Sequence, residues 1–334
     1  MFTPALAGPH DPLLTAPARR AGSVRRTTSI DSFREPDGSV VTVDARARDQ
    51  DTGADGGARP VASEQFAAQL NQSDSTILRL ERGPGRADLH RLLGGRVGPG
   101  FRGAVSECLG ATIDPGSLTH HLLDDWPGAS LVSGYALQRA AERNSEEPLR
   151  VSSDHASAAV DICAGWAADA SMMIAIRDTG LMPTPLGPMV PTEEPSDDPD
   201  AWHAIAPLRP GGTRRRRRTD LWPIDDGTLG FETHFRDSYA EDDDRQSVVH
   251  EYLVDGTLAR DGHVVTAIDA QVRVLPWKEC PSAIESAQRL VGVPVSGLRA
   301  LVRTEFTGTS TCTHLNDTLR TLEDLAGLAD RLPG

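Results

Sequence analysis

The sequence predicts an α+β fold built from two diverged copies of one unit. Each copy is an antiparallel β-meander followed by helices, and the two copies form a pseudo-symmetric pair. Strand-like alternation precedes helical periodicity in the second half of the chain, the same order returns more weakly in the first half, and short motifs recur collinearly. With 334 residues, the chain is long enough for two small domains.

Composition divides the chain into four segments. Residues 1–24 are rich in Pro, Ala, Gly and Arg without periodicity, which predicts a disordered arm. Residues 25–180 form the first copy, with an added Ala-rich helix, and residues 214–334 form the second copy. The proline-rich and acidic residues 181–213 predict a linker between the copies.

The second copy opens with strands. Residues 264–274 alternate apolar and polar side chains, which is typical of a strand with one buried face and one face in water. Residues 248–254 are the predicted partner strand. The dipeptides Asp255-Gly256 and Asp261-Gly262 between them suit tight turns.

Two helices follow these strands. Ser296 can cap a helix that ends at Gly308, and a second helix begins at Thr311 or Thr313. The leucines that line one side of this second helix are Leu315, Leu319, Leu322 and Leu325.

The first half repeats this order. Asp31 stands seven residues before Gly38, and Asp220 stands seven before Gly227. Further matched positions, first copy before second, are Leu93 and Leu290, Gly95 and Gly292, Gly100 and Gly297, Arg102 and Arg299, Val105 and Val302, and, after a loop of different length, Thr119-His120 and Thr313-His314. This collinear series predicts a tandem duplication whose copies pack together as an internal pseudo-dimer. It leaves the oligomeric state of the whole chain undecided.

Charge and hydropathy exclude several partners. The net charge of -14 disfavours nucleic acid and anionic lipid as partners. The most apolar long segment, Ala156–Ile176, contains Asp161 and Asp169, which a membrane helix would place in hydrocarbon at high cost. We therefore expect this segment to be a buried helix of a soluble protein. The first residues of the chain lack the pattern of a secretory signal.

The four cysteines are widely spaced and form no C-x-x-C pair. This spacing is typical of free thiols in the reducing cytoplasm and predicts no zinc site. No dinucleotide fingerprint or H-E-x-x-H pattern is present either. We therefore expect a cytoplasmic protein without metal or other cofactor.

The run Arg214–Arg218 has two interpretations. Five consecutive arginines could contact phosphates of a nucleic acid. However, no aromatic residues interleave with them and an acidic stretch precedes them, which favours a solvated edge strand protected by its charge.

The second copy resembles a known bacterial family. The residues that carry the resemblance are Gly292 to Arg299, the box Cys312-Thr313-His314-Leu315, and Arg218-Thr219-Asp220 upstream. They are similar to the family called domain of unknown function 2889, over most of residues 214 to 330 and more faintly over residues 25 to 125. In the first copy Leu118 replaces the box cysteine. The resemblance implies a shared fold unit and no particular reaction.

Three residues are candidates for acid–base chemistry. His314 lies in the first turn of a predicted helix, where the helix dipole disfavours the imidazolium ion and lowers the pKa. A neutral imidazole can act as a general base or as a hydrogen-bond donor, and Asp317 lies near the same face. His120 is the matched residue of the first copy. The alternative is that both histidines only cap and pack.

Cys312 precedes the same helix, where the dipole could stabilise a thiolate nucleophile. The alternative is a small buried thiol.

Two arginines are candidates for binding an anion. Arg299 and Arg102 each lie in the first helical turn after a glycine-containing segment, where an arginine and free backbone N–H groups can hold a carboxylate or phosphate. The alternative is a solvated helix face.

The Ala-rich helix offers a possible apolar pocket. Trp166, Met172 and Met173 could line it, and the carboxylate of Asp161 would then be desolvated, with a raised pKa. The alternative is an ordinary core helix in which Asp161 finds a hydrogen bond.

Two functions remain open. One is an enzyme (a hydrolase, lyase or isomerase) without metal or nucleotide, acting on a small, partly apolar and acidic molecule with a histidine as acid or base. The other is a non-catalytic ligand-binding or scaffold protein.

Overall fold

The computed structural model of the protein describes residues 7–35, 38–82, 88–143, 157–181, 183–184, 187–192, 195–241 and 244–333. Residues 1–6 of the expected arm, and Glu193 and Glu194 of the acidic stretch, lie outside the described residues.

Each half of the chain contributes four antiparallel strands followed by helices, so the α+β class is confirmed. The strands of the first half are β1 (Ser23–Arg34), β2 (Val40–Thr52), β3 (Ala58–Asn71) and β4 (Ile77–Arg82). They are followed by a short 3-10 helix (Leu89–Leu92), α1 (Phe101–Leu109), α2 (Leu118–Arg143), another 3-10 helix (Ala164–Trp166) and α3 (Ser171–Thr179).

The short strand β5 (Met189–Pro191) lies between the halves. The strands of the second half are β6 (Thr213–Pro223), β7 (Thr228–Ala240), β8 (Arg245–Ala259) and β9 (Val264–Val274). A 3-10 helix (Cys280–Leu290), α4 (Leu298–Glu305), α5 (Thr313–Thr321) and α6 (Asp324–Ala329) complete the chain.

All nine strands belong to one sheet, in the order β4-β3-β2-β1-β6-β7-β8, with β5 and β9 both paired to β8. The halves are joined at the centre by the antiparallel pair β1–β6, which aligns nine residues from Val24–Leu221 to Ser32–Thr213. The two halves therefore share one sheet above two hydrophobic clusters. The cluster of the second half also takes in Met172, Met173 and Ile176 of α3 from the first half. The duplication itself stays a prediction.

The arginine run lies at the centre of the sheet, so the expectation of a solvated edge strand is wrong. Arg214–Arg218 form most of β6, and each of the five side chains belongs to a residue that is at most 5% exposed. Alternate residues point to opposite faces of a strand, and carboxylates meet them on both faces. Arg214 pairs with Asp31, and Arg215 pairs with Asp237. Charge is tolerated here because carboxylates lie within bonding distance of the run.

The first predicted turn of the second half is also corrected. β8 continues through Asp255-Gly256, and the chain reverses only at Asp261-Gly262, where Gly262 has a φ of +68°. A Cβ at Gly256 would meet the backbone carbonyl oxygen of Ala267 and the Phe231 ring, so this glycine allows close packing within the sheet rather than a turn.

The segments expected to be a disordered arm and a linker pack on the sheet where they are described. The guanidinium of Arg19 pairs with Asp198 at 2.8 Å, which joins the two segments. Buried His203 accepts or donates hydrogen bonds to Ser29 and Thr27 of β1 at 2.9 Å. Residues 9–11 bond to the end of β9. Residues 13–19 and 195–212 contact polar residues of the central strands, such as Arg25 and Thr27 of β1.

The expected helix over residues 156–176 is not continuous. Asp161 has a φ of +62°, which interrupts any helix, and helical structure resumes as α3. Among the described residues, no helix is long and apolar enough to cross a membrane.

Candidate functional site

A cavity of about 280 Å³ lies where the first turns of α1, α2 and α4 approach α5. Its charged or titratable lining residues are Arg102, His120, Asp124, Arg299, Arg303, Arg320 and Glu323. Both halves contribute to this lining. Val105, Pro115, Leu123 and Ala300 add apolar surface.

The two arginines predicted to bind an anion reach this cavity from opposite halves. Arg102 follows Gly100 and Arg299 follows Gly297, and these glycines start α1 and α4 with φ values of +85° and +84°. Only glycine adopts this left-handed conformation without strain. Neither helix start has a side-chain cap. Each arginine therefore lies two residues after a glycine that begins its helix, so the local backbone places Arg102 and Arg299 alike.

Asp124 is the centre of the charged lining. Its carboxylate accepts from Arg102 Nε at 3.0 Å and from Arg320 Nη2 at 3.3 Å, and Arg299 Nε lies 3.5 Å away. Burial alone would raise the pKa of Asp124, but these three guanidinium groups outweigh it and hold the pKa below its usual value. The carboxylate stays ionised and keeps the arginines close together.

Several arginine N–H groups beside the cavity have no hydrogen-bond acceptor, although Arg299 Nη1 lies 3.6 Å from a carboxylate oxygen of Glu323. Arg299 Nη2 donates to Asp324 at 2.6 Å, but Arg299 Nε and Nη1 and Arg320 Nε find no hydrogen-bond acceptor among the described residues, although they are buried. Arg303 is exposed and forms no ion pair or hydrogen bond with any described residue. A buried donor without an acceptor is costly, so these groups favour an oxygen-rich ligand.

His120 forms part of the cavity wall. Its Nδ1 accepts a hydrogen bond from the backbone N–H of Gly116 at 3.2 Å. Burial and then the positive charge of Arg299 lower the pKa of His120, so the ring is neutral at neutral pH. The bond to Nδ1 assigns the ring proton to Nε2, which makes His120 a donor.

His314 does not line this cavity. Its ring stacks on the ring of His250, with centroids 3.5 Å apart, and Phe235 lies beyond at 6.3 Å. Burial and then the neighbouring His250 lower the pKa of His314 to about 3. His314 and His120, which the sequence matches, thus occupy different surroundings.

Asp317 belongs to an ion-pair network rather than to an acid–base pair with His314. Burial alone would raise its pKa, but Arg320, Arg215 and Arg102 hold it well below the usual range. A carboxylate bound in this way is a poor proton acceptor.

The remaining candidates lie elsewhere. Asp161 is exposed rather than desolvated, and its Oδ1 accepts from the Ala168 N–H at 2.9 Å. Trp166 packs on the second core, away from the cavity. Cys312 is buried, which raises the pKa of its thiol to about 11, so the expected thiolate is not favoured.

Sequence reasoning missed Asp124, Arg303 and Arg320. Asp124 lies four residues after His120, and Arg303 lies four residues after Arg299. Residues four apart share one face of a helix, so the spacing could have placed Asp124 and Arg303 beside the two predicted site residues. No comparable pattern marked Arg320, whose position depends on how α5 packs against α2.

These features define an α+β protein whose two meander-and-helix halves meet at a charged cavity. Residues 213–327 match the model of a family described as "Protein of unknown function (DUF2889)". This segment of the chain is thus similar to that family, as its motifs predicted, while the fainter resemblance of residues 25 to 125 stays a prediction. No curated protein and no solved structure matches the chain.

Proposed function

We propose that this protein binds a small organic anion in the cavity between its halves. The observation that carries the proposal is the approach of Arg102 and Arg299 from opposite halves to one cavity, together with unused donors on Arg299. Arginine suits carboxylate and phosphate because its planar N–H groups bind two oxygens at once.

The size and lining of the cavity support a small and partly apolar ligand. A volume of about 280 Å³ is at the lower end for small-molecule sites. Val105 and Leu123 offer apolar contact beside the arginines. A monocarboxylic or dicarboxylic acid with a short hydrocarbon part fits this combination better than a nucleotide does.

Asp124 supports this function by prepositioning the donors. Without a carboxylate between them, three guanidinium groups would repel one another and move apart. Asp124 uses only some of their N–H groups, so Arg299 and Arg320 keep donors without an acceptor. The arrangement limits the reorganisation that binding requires.

An enzymatic version of the proposal assigns His120 a role in turnover. With Nδ1 occupied by Gly116, the neutral ring donates from Nε2 and can polarise a ligand oxygen. To act as a base, His120 would have to give up the bond to Gly116. Binding without turnover is the alternative, and it needs no change of tautomer.

Arg303 offers the cleanest test of binding because no described residue depends on it. We would measure the affinity of wild type for a panel of small carboxylates and inorganic phosphate by calorimetry. Arg303→Gln should bind roughly tenfold to a hundredfold more weakly, the usual loss when a hydrogen bond to a charged group is removed. Arg260→Gln, an exposed position on the β8–β9 turn, is the matched control. Equal affinity of both variants for every ligand would contradict the proposal.

His120→Gln separates enzyme from binding protein once a ligand is known. Gln keeps a donor and an acceptor, so the fold and most of the affinity should remain. If His120 transfers a proton, turnover should fall by about two to four powers of ten. Unchanged turnover would remove His120 from the catalytic machinery.

A further inference from the structure

We propose that Asp237, His250 and His314 form a binding site for a divalent transition-metal ion, zinc being the simplest case. One ligand atom from each of these residues lies within 4.8 Å of the others. The site is separate from the cavity between the halves, because none of its three residues lines that cavity. The sequence predicted no metal site, since these ligands come from three elements that are distant along the chain.

The fold brings the ligands together in a defined way. Asp237 and His250 are direct partners across β7 and β8, and His250 Nδ1 lies 3.2 Å from Asp237 Oδ2. The strand pairing shifts register immediately afterwards, between Asp237 and Ser238. Such bulges re-aim side chains near functional sites. The third ligand, His314, comes from the first turn of α5.

The donor set is appropriate for this class of ion. Two imidazoles and one carboxylate are typical ligands of zinc and of other late first-row metals, and three protein ligands leave a coordination position for water or a substrate. Magnesium and calcium prefer oxygen ligands alone, so they fit this site poorly.

The ion pairs around Asp237 orient its carboxylate and define what a cation competes with. Arg215 binds both oxygens of Asp237 at 2.9 Å, which orients the carboxylate as an outer partner of a metal ligand does. The same guanidinium also pairs with Asp125 at 3.2 Å and with Asp317 at 2.9 Å. Asp125 and Asp317 also have arginine partners of their own, Arg217 and Arg320, so a bound cation would share the Asp237 carboxylate with Arg215.

The stacking of the two histidine rings shows that one ring must move when a metal ion binds. The His250 and His314 planes are 21° apart, with centroids at 3.5 Å, so their in-plane lone pairs lie in nearly parallel planes. One ring has to turn before both can reach the same ion. His314 is the freer ring, because its Nδ1 lies at a long 3.4 Å from Thr313 Oγ1, whereas His250 is held by Asp237. Metal binding should therefore separate the stacked pair.

The test is metal binding by the full chain. Wild type should bind one equivalent of Zn²⁺ by calorimetry in competition with a weak chelator, and Co²⁺ should develop the visible absorption of a four- or five-coordinate ion. His314→Phe and His250→Phe, which keep a ring for packing, should each weaken Zn²⁺ binding at least tenfold. His90→Gln removes an exposed histidine and should bind like wild type.

Two results would overturn the metal-site proposal, and one control separates it from the anion proposal. Absence of a specific Zn²⁺ equivalent in wild type would overturn the proposal, whether or not the variants fold. Wild-type affinity in both folded phenylalanine variants would overturn it as well, because the ion would then lie at other histidines. Arg303→Gln should keep full Zn²⁺ affinity, so a failure of the anion proposal and a failure of the metal proposal are distinguishable.

Discussion

Arg26 and Arg215 hold their strands together in the same manner. Arg26 on β1 donates from Nε and Nη2 to both oxygens of Asp49 on β2, and Arg215 on β6 donates from the same two nitrogens to Asp237 on β7.

Each of these arginines also reaches an acid in the opposite half. Arg26 Nη1 lies 2.9 Å from Asp324 of α6, and Arg215 Nη1 lies 3.2 Å from Asp125 of α2. All four carboxylates and both guanidinium groups are buried. The halves are thus linked by charge as well as by the shared sheet, and removal of either half would take away one partner of each buried ion network.

The first prediction is that neither half folds alone. Residues 1–181 and 187–334, expressed as separate chains, should each be unfolded or aggregated, because β1 and β6 would lose nine paired positions and the arginines would lose their cross-half acids. Co-expressed, the two chains should co-purify as one particle. Circular dichroism and size-exclusion chromatography check this, and folded, separate monomers would contradict it.

The second prediction concerns Gly128 in α2. A Cβ at this position would lie 2.0 Å from Arg215 Nη1 and 2.5 Å from Asp317 Oδ2, so the Arg215–Asp317 ion pair requires a glycine. Gly128→Ala should lower the free energy of unfolding by about 3 kcal/mol or more, as expected when a buried ion pair is broken. Gly327→Ala in α6 meets no atom within 4 Å and is the control. Urea denaturation that shows equal effects for both variants would contradict the argument.

The third prediction is a pH dependence that originates at His203. Burial, and then the positive charges of Arg48, Arg214 and Arg46, lower its pKa from 6.5 to about 3, while Asp44 acts in the opposite direction. The folded state therefore binds the proton less readily than the unfolded state does. The contribution to stability is complete above about pH 6.5 and falls by about 1.4 kcal/mol for each unit as the pH drops toward the folded value.

His203→Gln removes this titration and one buried hydrogen bond. At pH 7 the variant should be less stable than wild type by about 1 kcal/mol. The difference should shrink or reverse at about pH 5, because only wild type loses stability through this group. Urea melts at several pH values measure it, and a constant difference across that range would refute the assignment.

The fourth prediction is that the arginine run does not bind nucleic acid. Its five side chains are buried. Arg214 and Arg215 pair with Asp31 and Asp237, and the Arg216 guanidinium lies over the Trp202 ring. Phosphates cannot reach them unless the central strand leaves the sheet. Fluorescence anisotropy with duplex DNA and single-stranded RNA at low salt should show no binding. Salt-dependent binding, the signature of phosphate contacts, would contradict this prediction.

Much of the local structure could be predicted from the sequence alone. Alternation of apolar and polar residues identified β9 and the meander of the second half. The helix that contains Arg299 was also predicted, but it begins after Gly297 and not with the expected cap at Ser296. The family segment was also recognisable from its motifs. These features depend on neighbours a few residues apart, so the sequence contains them directly.

Only the tertiary structure decided which strand is central and which residues meet. Arg214–Arg218 resembled an edge because five charges normally need water, but pairing of β6 with both β1 and β7 buries them among acids from distant segments. The same holds for His314, which the helix start marked correctly but whose neighbour His250 comes from a strand. Long-range pairing sets the electrostatic surroundings of each group, and no local pattern in the chain encodes which partners it brings within reach.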